Sequence, residues 1–411
     1  MKCIKYLFTV ILTCFISAVS MAQVKSSPSW EKHIPTDKVI EWRRYIHQNP
    51  ELSFKEVNTS EYVAGILKGF GNIEVVRPTS TSVVGILHGA KKGKTVAFRA
   101  DMDALPVQEE TGLPFSSIVT GVSHACGHDA HTSVLLGAAA TLSKLQKELA
   151  GTVYFIFQHA EEVNPGGARE IIKSGVLKDV EAFFGVHVFS NYPSGHVGIL
   201  PNGAASTIAD FFYITVQGKG THGSMPHLGI DPIVTGSEIV TTLQTIVSRN
   251  VTPGEMAVIS VGQFNAGDAP NVIPDKVEIT GTVRTINETT RQLVAERVKT
   301  VVDNVAKANG ASSNLNYVFS YRPINNDVTL NVLARESAIK ILGSDSVIDA
   351  PRMTASEDFA YYSDIAPECF LILGVGPGVA NHNPGFNIDE SALVNGVKVE
   401  VQIILDYLSK K

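Results

Sequence analysis

Four short apolar runs constrain the fold of this chain more than any other feature of its sequence. They read "VVGILHG", "TVAFRA", "TVYFIFQH" and "AFFGVHV", and all lie between residues 83 and 188. Successive apolar positions bury both faces of a strand, which is typical of the parallel sheets in α/β proteins. Between the second and third runs, "HTSVLLGAAATLSKLQKEL" is rich in Ala and Leu and predicts a helix that stops at Gly151. We therefore predict an α/β fold with a mostly parallel central sheet.

The pattern changes near residue 207. Here "IADFFYITVQGKG", "EMAVISVGQF" and "DKVEITGTVRT" are typical of amphipathic strands, with helices expected at about 231–249 and 288–308. After "YRPINND" the first pattern returns, with a helix near 329–342, the strand "CFLILGVG" and a final helix from about residue 389. These segments predict a catalytic domain interrupted by a smaller α+β lid domain. The expected divisions are a signal peptide at 1–22, the first part of the catalytic domain at 23–206, the lid at 207–322 and the second part of the catalytic domain at 323–411.

The first residues, "MKCIKYLFTVILTCFISAVSMAQ", have the pattern of a secretory signal peptide. Lys2 and Lys5 precede an apolar run, and Ala22 ends a small-x-small cleavage site. The run is interrupted by Thr and Ser and is short for a membrane span, so an uncleaved anchor is the weaker alternative. Cleavage before Cys14, as in a lipoprotein, is disfavoured because Thr13 replaces the small residue that such sites need. We expect an exported protein, periplasmic or extracellular, with no membrane attachment after cleavage.

Cysteine content argues against a disulfide-stabilised protein, and net charge argues against a nucleic-acid-binding protein. Cleavage leaves two of the four cysteines, Cys126 and Cys369, which are too few for a disulfide framework. The formal net charge is −6 and no basic cluster stands out, so no nucleic-acid partner is expected.

Acidic residues and a histidine follow or end three of the predicted strands. Asp101 and Asp103 come directly after "TVAFRA", Glu161 and Glu162 after "TVYFIFQH", and His187 lies near the end of "AFFGVHV". In open α/β sheets, ligands bind beyond the carboxyl ends of the strands. We therefore expect these side chains to meet at one edge of the sheet.

The stretch "GVSHACGHDAHTS", residues 121–133, is expected to form a loop beside that edge, just before the helix. Cys126 and His128 are spaced so that one loop can point both side chains at one place. Thiolate, imidazole and carboxylate ligands suit a borderline divalent ion such as Zn, Mn, Co or Ni. A thiol nucleophile is the alternative, but neighbouring carboxylates raise a thiol pKa unless a metal is present. The sequence favours the metal site.

Ten motifs, in order along the chain, resemble one known family. They are "RRYIHQNPELSF", "FRADMDALPVQE", "HACGHDAHT", "FQHAEEVNPGGA", "GVHV", "GKGTHGSMPH", "NVIP", "GTVRT", "SEDFAYY" and "NHNPGF". The family is that of dinuclear metallohydrolases, which includes aminoacylases and zinc carboxypeptidases. Within it, the chain resembles the branch of N-acyl-amino-acid amidohydrolases, hippurate hydrolases and auxin-conjugate hydrolases.

The resemblance implies a role for each residue at the predicted sheet edge. The implied metal ligands, with the cysteine bridging two divalent ions, are Cys126, His128, Glu162, His187 and His382. Glu161 is implied to be the general base, which takes a proton from the attacking water. Asp103 matches an aspartate that orients a ligand. Asp101 departs from the wider family, in which many relatives have a ligand histidine at this position.

The predicted lid carries three further residues that the resemblance implicates. His222 is implied to stabilise the oxyanion, often in the active site of the partner subunit of a dimer, so a homodimer through the lid is expected; a structural turn histidine is the alternative. Asn271 and Arg284 match positions that hold the substrate carboxylate, and arginine suits this role because its planar fork donates two hydrogen bonds. A salt bridge on the sheet surface is the alternative for Arg284. Glu357 is expected to line the pocket without acting in catalysis.

These interpretations predict an exported metallohydrolase that cleaves the amide bond of N-acyl-amino acids or related small conjugates. Its partners are expected to be two divalent ions and a small-molecule substrate. An aminopeptidase or dipeptidase on the same scaffold is the alternative. A metal-binding protein without catalysis is less favoured, because a pure binder has no need of an unliganded Glu161 beside its ligands.

Overall fold

A mixed sheet of ten strands forms the centre of the computed structural model, which describes residues 28–410. The predicted signal peptide, residues 1–22, lies outside the described residues. None of the helices within residues 28–410 is both long and apolar enough to span a bilayer.

The helices and strands alternate through most of the described chain. The α-helices are α1 (Thr36–Gln48), α2 (Val57–Gly69), α3 (His128–Lys144), α4 (Ala168–Lys173), α5 (Pro232–Arg249), α6 (Glu288–Ala308), α7 (Val328–Leu342) and α8 (Ala392–Ser409). Short 3-10 helices lie at Glu31–His33, Pro226–Leu228, Ser344–Ser346 and Asp358–Asp364. The strands are β1 (Glu74–Val76), β2 (Val83–His88), β3 (Lys91–Asp101), β4 (Ala150–Gln158), β5 (Ala182–Pro193), β6 (Val197–Ile199), β7 (Gly203–Ala204), β8 (Ile208–Gln217), β9 (Thr221–His222), β10 (Ala257–Asn265), β11 (Val272–Ile273), β12 (Lys276–Thr285), β13 (Ser312–Phe319), β14 (Asn325–Asn326), β15 (Val347–Asp349) and β16 (Glu368–Gly376).

The middle of the large sheet is parallel. Strands β4, β3, β5, β16 and β14 lie side by side in that order and pair in parallel. Antiparallel strands β1 and β2 extend one side, and β7 extends the other, while β6 pairs antiparallel with β16 and parallel with β15. The predicted α/β class with a mostly parallel central sheet is confirmed.

Both faces of this sheet are buried, as the apolar runs predict. Phe98 and Phe184 belong to a core on the face that carries α1, α2, α3, α7 and α8. Their sequence neighbours Ala97 and Phe183 belong to a second core, which includes side chains of α4 and of the 3-10 helix Asp358–Asp364. Alternation along each strand therefore supplies both cores at once.

A second sheet of four antiparallel strands, in the order β10-β12-β8-β13, is built from residues 208–319. Helices α5 and α6 cover one face of it, and side chains such as Phe212, Ile214 and Leu243 form a separate core there. Outward-facing residues such as Tyr213 stay exposed, which is the amphipathic pattern seen in the sequence. The division of the chain into domains at residues 206 and 322 stays a prediction.

The predicted bounds of the Ala- and Leu-rich helix were wrong at both ends. Helix α3 begins at His128, directly after Gly127, whose φ of 92° is open to glycine but costly for other residues. It ends at Lys144, and Gly151 instead lies inside β4, where a Cβ atom would be 2.1 Å from the carbonyl oxygen of Lys94. The chain must leave the helix early because it has to return to the sheet beside β3.

Candidate active site

The carboxyl ends of the parallel strands meet at one cavity of about 280 Å³. Six of the ten residues predicted for the site line it: Cys126, Glu161, Glu162, His187, Arg284 and His382. Asp103 and His128 are buried beside Glu162, at the same edge of the sheet. His222 and Asn271 do not line the cavity.

Cys126 is in contact with two of the histidines. Its Sγ atom is 3.3 Å from Nε2 of His187, on β5, and 3.2 Å from Nε2 of His382, in the loop before α8. A Cβ atom on Gly127 would lie 2.3 Å from a Val188 methyl group, so glycine is required between Cys126 and α3. The motif "HACGHDAHT" thus bends closely enough to bring the thiol against β5.

The first turn of α3 presents His128 to the same place. Asp103 holds the Nδ1 side of the ring through its carbonyl oxygen at 2.9 Å and its Oδ1 atom at 3.2 Å, which directs Nε2 at the cavity wall. Burial opposes a positive charge on His128, but Asp101 and Asp103 outweigh it and raise its pKa to about 10. Nε2 is buried and has no hydrogen-bond partner among the described residues. His128 thus resides in a site that favours a cation at Nε2.

The two adjacent glutamates after β4 differ in their surroundings. Burial, followed by repulsion from Glu357 and Glu162, raises the pKa of Glu161 well above its usual value. Glu162 has one oxygen, Oε1, that lies 3.3 Å from Nε2 of His382 and 3.9 Å from Nε2 of His128. That oxygen forms no hydrogen bond of good geometry with the described residues. Glu162 therefore faces the imidazoles, and Glu161 is a buried carboxylate that forms no salt bridge with any residue in the described part of the chain.

His131, one turn further along α3, supports the cavity from behind. Its Nε2 atom accepts the N–H of Val188 at 2.8 Å, so its Nδ1 atom donates to Oδ1 of Asp101 at 2.6 Å. Burial lowers the pKa of His187 well below its usual value, which keeps that imidazole neutral. A neutral imidazole is the form that binds metals.

Arg99 was not singled out from the sequence, yet it organises the acidic residues behind the cavity. This fully buried guanidinium on β3 is 2.8 Å from Oδ2 of Asp101, 3.0 Å from Oε1 of Glu357 and 2.9 Å from Oδ1 of Asp358. Burial still raises the pKa of Glu357, to about 8. The signal was present in "FRAD", because an arginine inside an otherwise apolar central strand needs buried partners.

Asn381 also lines the cavity and was not predicted from the sequence. Its side-chain amide donates to the carbonyl oxygens of Cys126 at 3.0 Å and Val188 at 3.1 Å. It thereby joins the loop "NHNPGF" to the loop before α3 and to β5, and His382, with a φ of 67°, is the next residue.

The donor atoms fit a metal centre. Two sets of three ligand atoms, each set lying within 4.8 Å, share the thiol of Cys126; they are Cys126, His128 and His187, and Cys126, Glu162 and His382. Burial, then Glu162 and Glu161, raises the pKa of the Cys126 thiol well above its usual value, so a thiolate here needs a bound cation. The buried atoms without partners, Nε2 of His128 and Oε1 of Glu162, belong to these sets. Sulfur, nitrogen and oxygen donors together suit the borderline divalent ions.

Other sets of acidic and imidazole groups lie close by. Asp101 is within 4.8 Å of His128 and His131, and Glu161 is within that distance of His128 and Glu162. Asp101 already has Arg99 and His131 as partners, so it is less suited to a further cation.

Arg284 lies on the opposite wall, at the junction with the second sheet. Its Nη1 atom donates to Oγ1 of Thr282 at 2.6 Å, and its guanidinium lies 5.9 Å from the centre of the Phe211 ring. Within the described residues no carboxylate is paired with it, which disfavours the alternative of a surface salt bridge. A guanidinium that has no carboxylate partner among residues 28–410 thus faces the cavity, with Phe189, Phe211 and Met353 as apolar neighbours.

His222 and Asn271 lie next to each other on a small exposed ribbon. Strands β9 and β11 pair antiparallel, with His222 opposite Val272, and the N–H of Gly223 donates to the carbonyl oxygen of Asn271. Both side chains belong to exposed residues, and Nδ1 of His222 is 2.8 Å from Oγ of Ser224. The ribbon is apart from the cavity of its own chain.

Comparison with known proteins agrees with this geometry. The sequence profile of Peptidase family M20/M25/M40 matches residues 97–406. The chain is 48% identical over 293 residues to an N-acyl-L-amino acid amidohydrolase of Geobacillus stearothermophilus, covering 71% of this chain and 79% of that protein. It is 41% identical to an N-acetyl-L-cysteine deacetylase of Bacillus subtilis (strain 168), over 87% of this chain and 85% of the relative.

A solved structure of a related protein supports the same family membership. A Bacillus subtilis protein, described as a dinuclear metal-binding peptidase of the M20 family, superposes with a TM-score of 0.80 at 36% identity, covering 92% of this chain and 99% of that one. The resemblance drawn from the ten motifs is confirmed. The thiol, imidazoles and carboxylates gathered at the strand ends are thus those of a chain that belongs to Peptidase family M20/M25/M40.

Proposed function

We propose that the protein is a metal-dependent amidohydrolase, which hydrolyses the amide bond of N-acyl-amino acids or related small amino-acid conjugates. One observation carries the proposal. Glu161, a buried carboxylate that forms no salt bridge within residues 28–410, lies beside a set of metal-ligating side chains, in a cavity whose far wall presents Arg284. A general base, a Lewis-acid site and a carboxylate-binding group are the three parts that cleavage of an acyl-amino acid requires.

The residues that would hold two divalent ions, of Zn, Mn, Co or Ni, are Cys126, His128, Glu162, His187 and His382. Cys126 belongs to both donor sets, so its thiol is placed where it would serve as a ligand to either ion. When bound, the ions would polarise the scissile carbonyl and lower the pKa of the attacking water.

The remaining residues act on the substrate and on protons. Glu161 takes the proton of the attacking water and delivers it to the leaving amine. Asp103 holds the Nδ1 side of His128 and so orients that ring. Arg284 binds the α-carboxylate of the amino acid with two charge-assisted hydrogen bonds.

His222 and Asn271 complete the site in this proposal. Because their ribbon is apart from the cavity of its own chain, we place them over the cavity of a second copy, within a homodimer formed through the second sheet. There His222 donates a hydrogen bond to the developing oxyanion.

Similar proteins support the substrate class. Two of the relatives described above are named for the removal of an acyl group from an amino acid. An aminopeptidase or dipeptidase would need a carboxylate to receive the α-ammonium of its substrate. Glu357 is a candidate by position, but it is already paired with Arg99 at 3.0 Å.

The test is a substrate panel measured by release of free amino acid. An N-acyl-amino acid, its carboxamide and a dipeptide with a free amino terminus are each assayed with the metal-loaded protein. We expect the acyl-amino acid to give the highest kcat/KM. Preference for the free dipeptide would replace the proposal with the peptidase alternative, and metal binding without turnover of any substrate would leave a binding protein.

Export is a separate proposal, and its support is the pattern of residues 1–22. Secretion of the full chain, followed by amino-terminal sequencing of the released protein, tests it. Cleavage after Ala22 is expected, and a retained or lipidated amino terminus would contradict it.

A further inference from the structure

A single buried carboxylate, that of Glu56, holds two left-handed backbone positions. Among the described residues, three that are not glycine have a positive φ: Phe54 at 65°, Ala160 at 51° and His382 at 67°. Oε1 of Glu56 accepts the N–H of Phe54 at 2.9 Å and the N–H of Ala160 at 2.8 Å. Glu56 is entirely buried, and 104 residues separate it from Ala160.

Ala160 is the residue immediately before Glu161. A left-handed conformation costs a residue with a Cβ atom roughly 1–2 kcal/mol, so this turn persists only while its surroundings hold it. The next two residues are anchored separately. The hydroxyl of Tyr321 donates to the carbonyl oxygen of Glu161 at 3.0 Å, and the N–H of Glu162 donates to Oδ2 of Asp103 at 3.0 Å.

The carbonyl oxygen of Ala160 accepts the N–H of Gly167 at 3.1 Å, and Glu56 is the side-chain partner of the Ala160 N–H. Its other oxygen, Oε2, has no hydrogen-bond partner among the described residues, so the carboxylate is not needed for a second network. Burying an acidic group in this way costs free energy, and burial followed by repulsion from Asp103 raises its pKa to about 7. An apolar side chain could fill the same space without this cost in free energy. We therefore expect the hydrogen bond between Glu56 and Ala160 to have a functional role.

We propose that Glu56 is a positioning residue, whose carboxylate fixes the left-handed turn at Ala160 and thereby the place of the Glu161 side chain in the cavity. The inference rests on the function proposed above, in which Glu161 transfers the proton. Glu56 does not touch the substrate, and its effect reaches the reaction only through the backbone of Ala160.

Two substitutions separate the effect of where the Glu56 acceptor oxygen lies from the effect of the carboxylate charge. Glu56→Gln keeps an acceptor oxygen at the same place and removes the charge, whereas Glu56→Asp keeps the charge and withdraws the oxygen by about 1.5 Å. Positioning predicts that the aspartate variant is the more damaged, with kcat reduced about 10- to 100-fold, because small displacements of a reacting group have effects of this size. KM should change little, since Arg284 and the metal ligands are held by other contacts. A purely electrostatic role predicts the opposite order.

Glu51→Gln is the matched control. Glu51 lies on the same segment, and its carboxylate accepts the N–H groups of Asn58 and Thr59 at the start of α2 without contact to β4 or the turn that follows it. Its loss should lower the melting temperature and leave kcat unchanged. A comparable loss of kcat in Glu51→Gln would mean that general destabilisation explains the Glu56 variants.

Hydrogen exchange of the Ala160 amide gives a measurement that does not depend on activity. Its protection should fall at least about 10-fold in Glu56→Asp and less in Glu56→Gln, while the amide of Phe157 within β4 keeps its protection. Unchanged protection of Ala160 in the aspartate variant would overturn the positioning role, as would lost protection with a normal kcat. If the wild-type protein cleaves no acyl-amino acid, the proposed function fails, and the exchange result still decides whether Glu56 holds the turn.

Discussion

The Sγ atom of Cys126 lies 3.3 Å from Nε2 of His187, although 61 residues separate them along the chain. One precedes helix α3 and the other is on the central strand β5. Burial and Glu162 raise the pKa of this thiol, and a metal ion bound by both atoms would supply the positive charge that a thiolate needs here. The contact therefore supports a metal at this point of the sheet edge.

The reactivity of Cys126 should depend on metal. A coordinated thiolate resists alkylation because the metal occupies the lone pair that the reagent needs, and chelation should expose it. Cys369 is fully buried in β16 and should react only on unfolding, so it serves as the internal control. Mass spectrometry of labelled peptides, with and without chelator, measures both. Equal labelling of Cys126 in the two forms would count against its role as a ligand.

Substitution of Glu161 should separate metal binding from chemistry. Glu161→Gln is expected to keep its metal content and to lose kcat by about 100-fold or more, the usual scale for general acid–base catalysis. Glu162→Gln is the control and should lose metal together with activity. Elemental analysis beside steady-state kinetics distinguishes the two. Metal loss in Glu161→Gln in proportion to its activity would make Glu161 a ligand instead.

Arg284 should be the group that recognises a substrate carboxylate. For the wild type, conversion of an acyl-amino acid to its carboxamide should weaken transition-state binding by roughly 2–5 kcal/mol, measured as a lower kcat/KM. The reason is that the guanidinium loses its charged partner on the substrate. Arg284→Ala should cleave the acid and the carboxamide about equally. A variant that still discriminates between the two substrates would move carboxylate recognition to another residue.

The position of His222 predicts complementation between inactive variants. His222→Ala and Glu161→Gln should each lose most activity alone. If His222 acts on the cavity of a second copy, a mixed dimer has one site with both residues intact, so coexpression should restore activity. Kinetics on the purified mixed dimer, with each variant alone as control, measure this. No recovery in a verified mixed dimer would place His222 at the site of its own chain.

The partly buried ion pair between Glu109 and His47 predicts acid sensitivity away from the metal site. Burial opposes its charge, but His47 at 3.2 Å, the N–H of Ser117 and the hydroxyl of Thr111 stabilise the carboxylate and lower its pKa from 4.5 to about 2. A lowered folded-state pKa contributes stability above pH 4.5 that is lost as the pH falls from 4.5 to 2, on the order of 1 kcal/mol once solvent screening of this partly exposed pair is included. Urea unfolding at several pH values should show wild type and Glu109→Gln converging in acid. A constant difference between them would contradict this.

The local sequence pattern was sufficient to predict the central sheet and the residues on one side of the site. The runs that became β3, β4 and β5 are apolar at successive positions, and a strand buried on both faces has few other places in a fold than the middle of a parallel sheet. Their polar ends had to meet, because parallel strands end at the same edge. The closeness of Glu162 and Asp103 follows from this rule.

Other parts of the site depend on contacts that no local pattern encodes. The start of α3 depends on the approach of Gly127 to Val188, and the contact of His382 with Cys126 joins residues 256 apart. The resemblance to a family supplied His382 and His222 as candidates, but the spacing of residues could not tell that one lies at the cavity and the other on an exposed ribbon. The sequence by itself determined which side chains end the strands, because burial is periodic along the chain. Only the tertiary structure decided how Arg99, Glu56 and Asn381 hold those side chains in place, since their partners are chosen by packing between segments far apart in sequence.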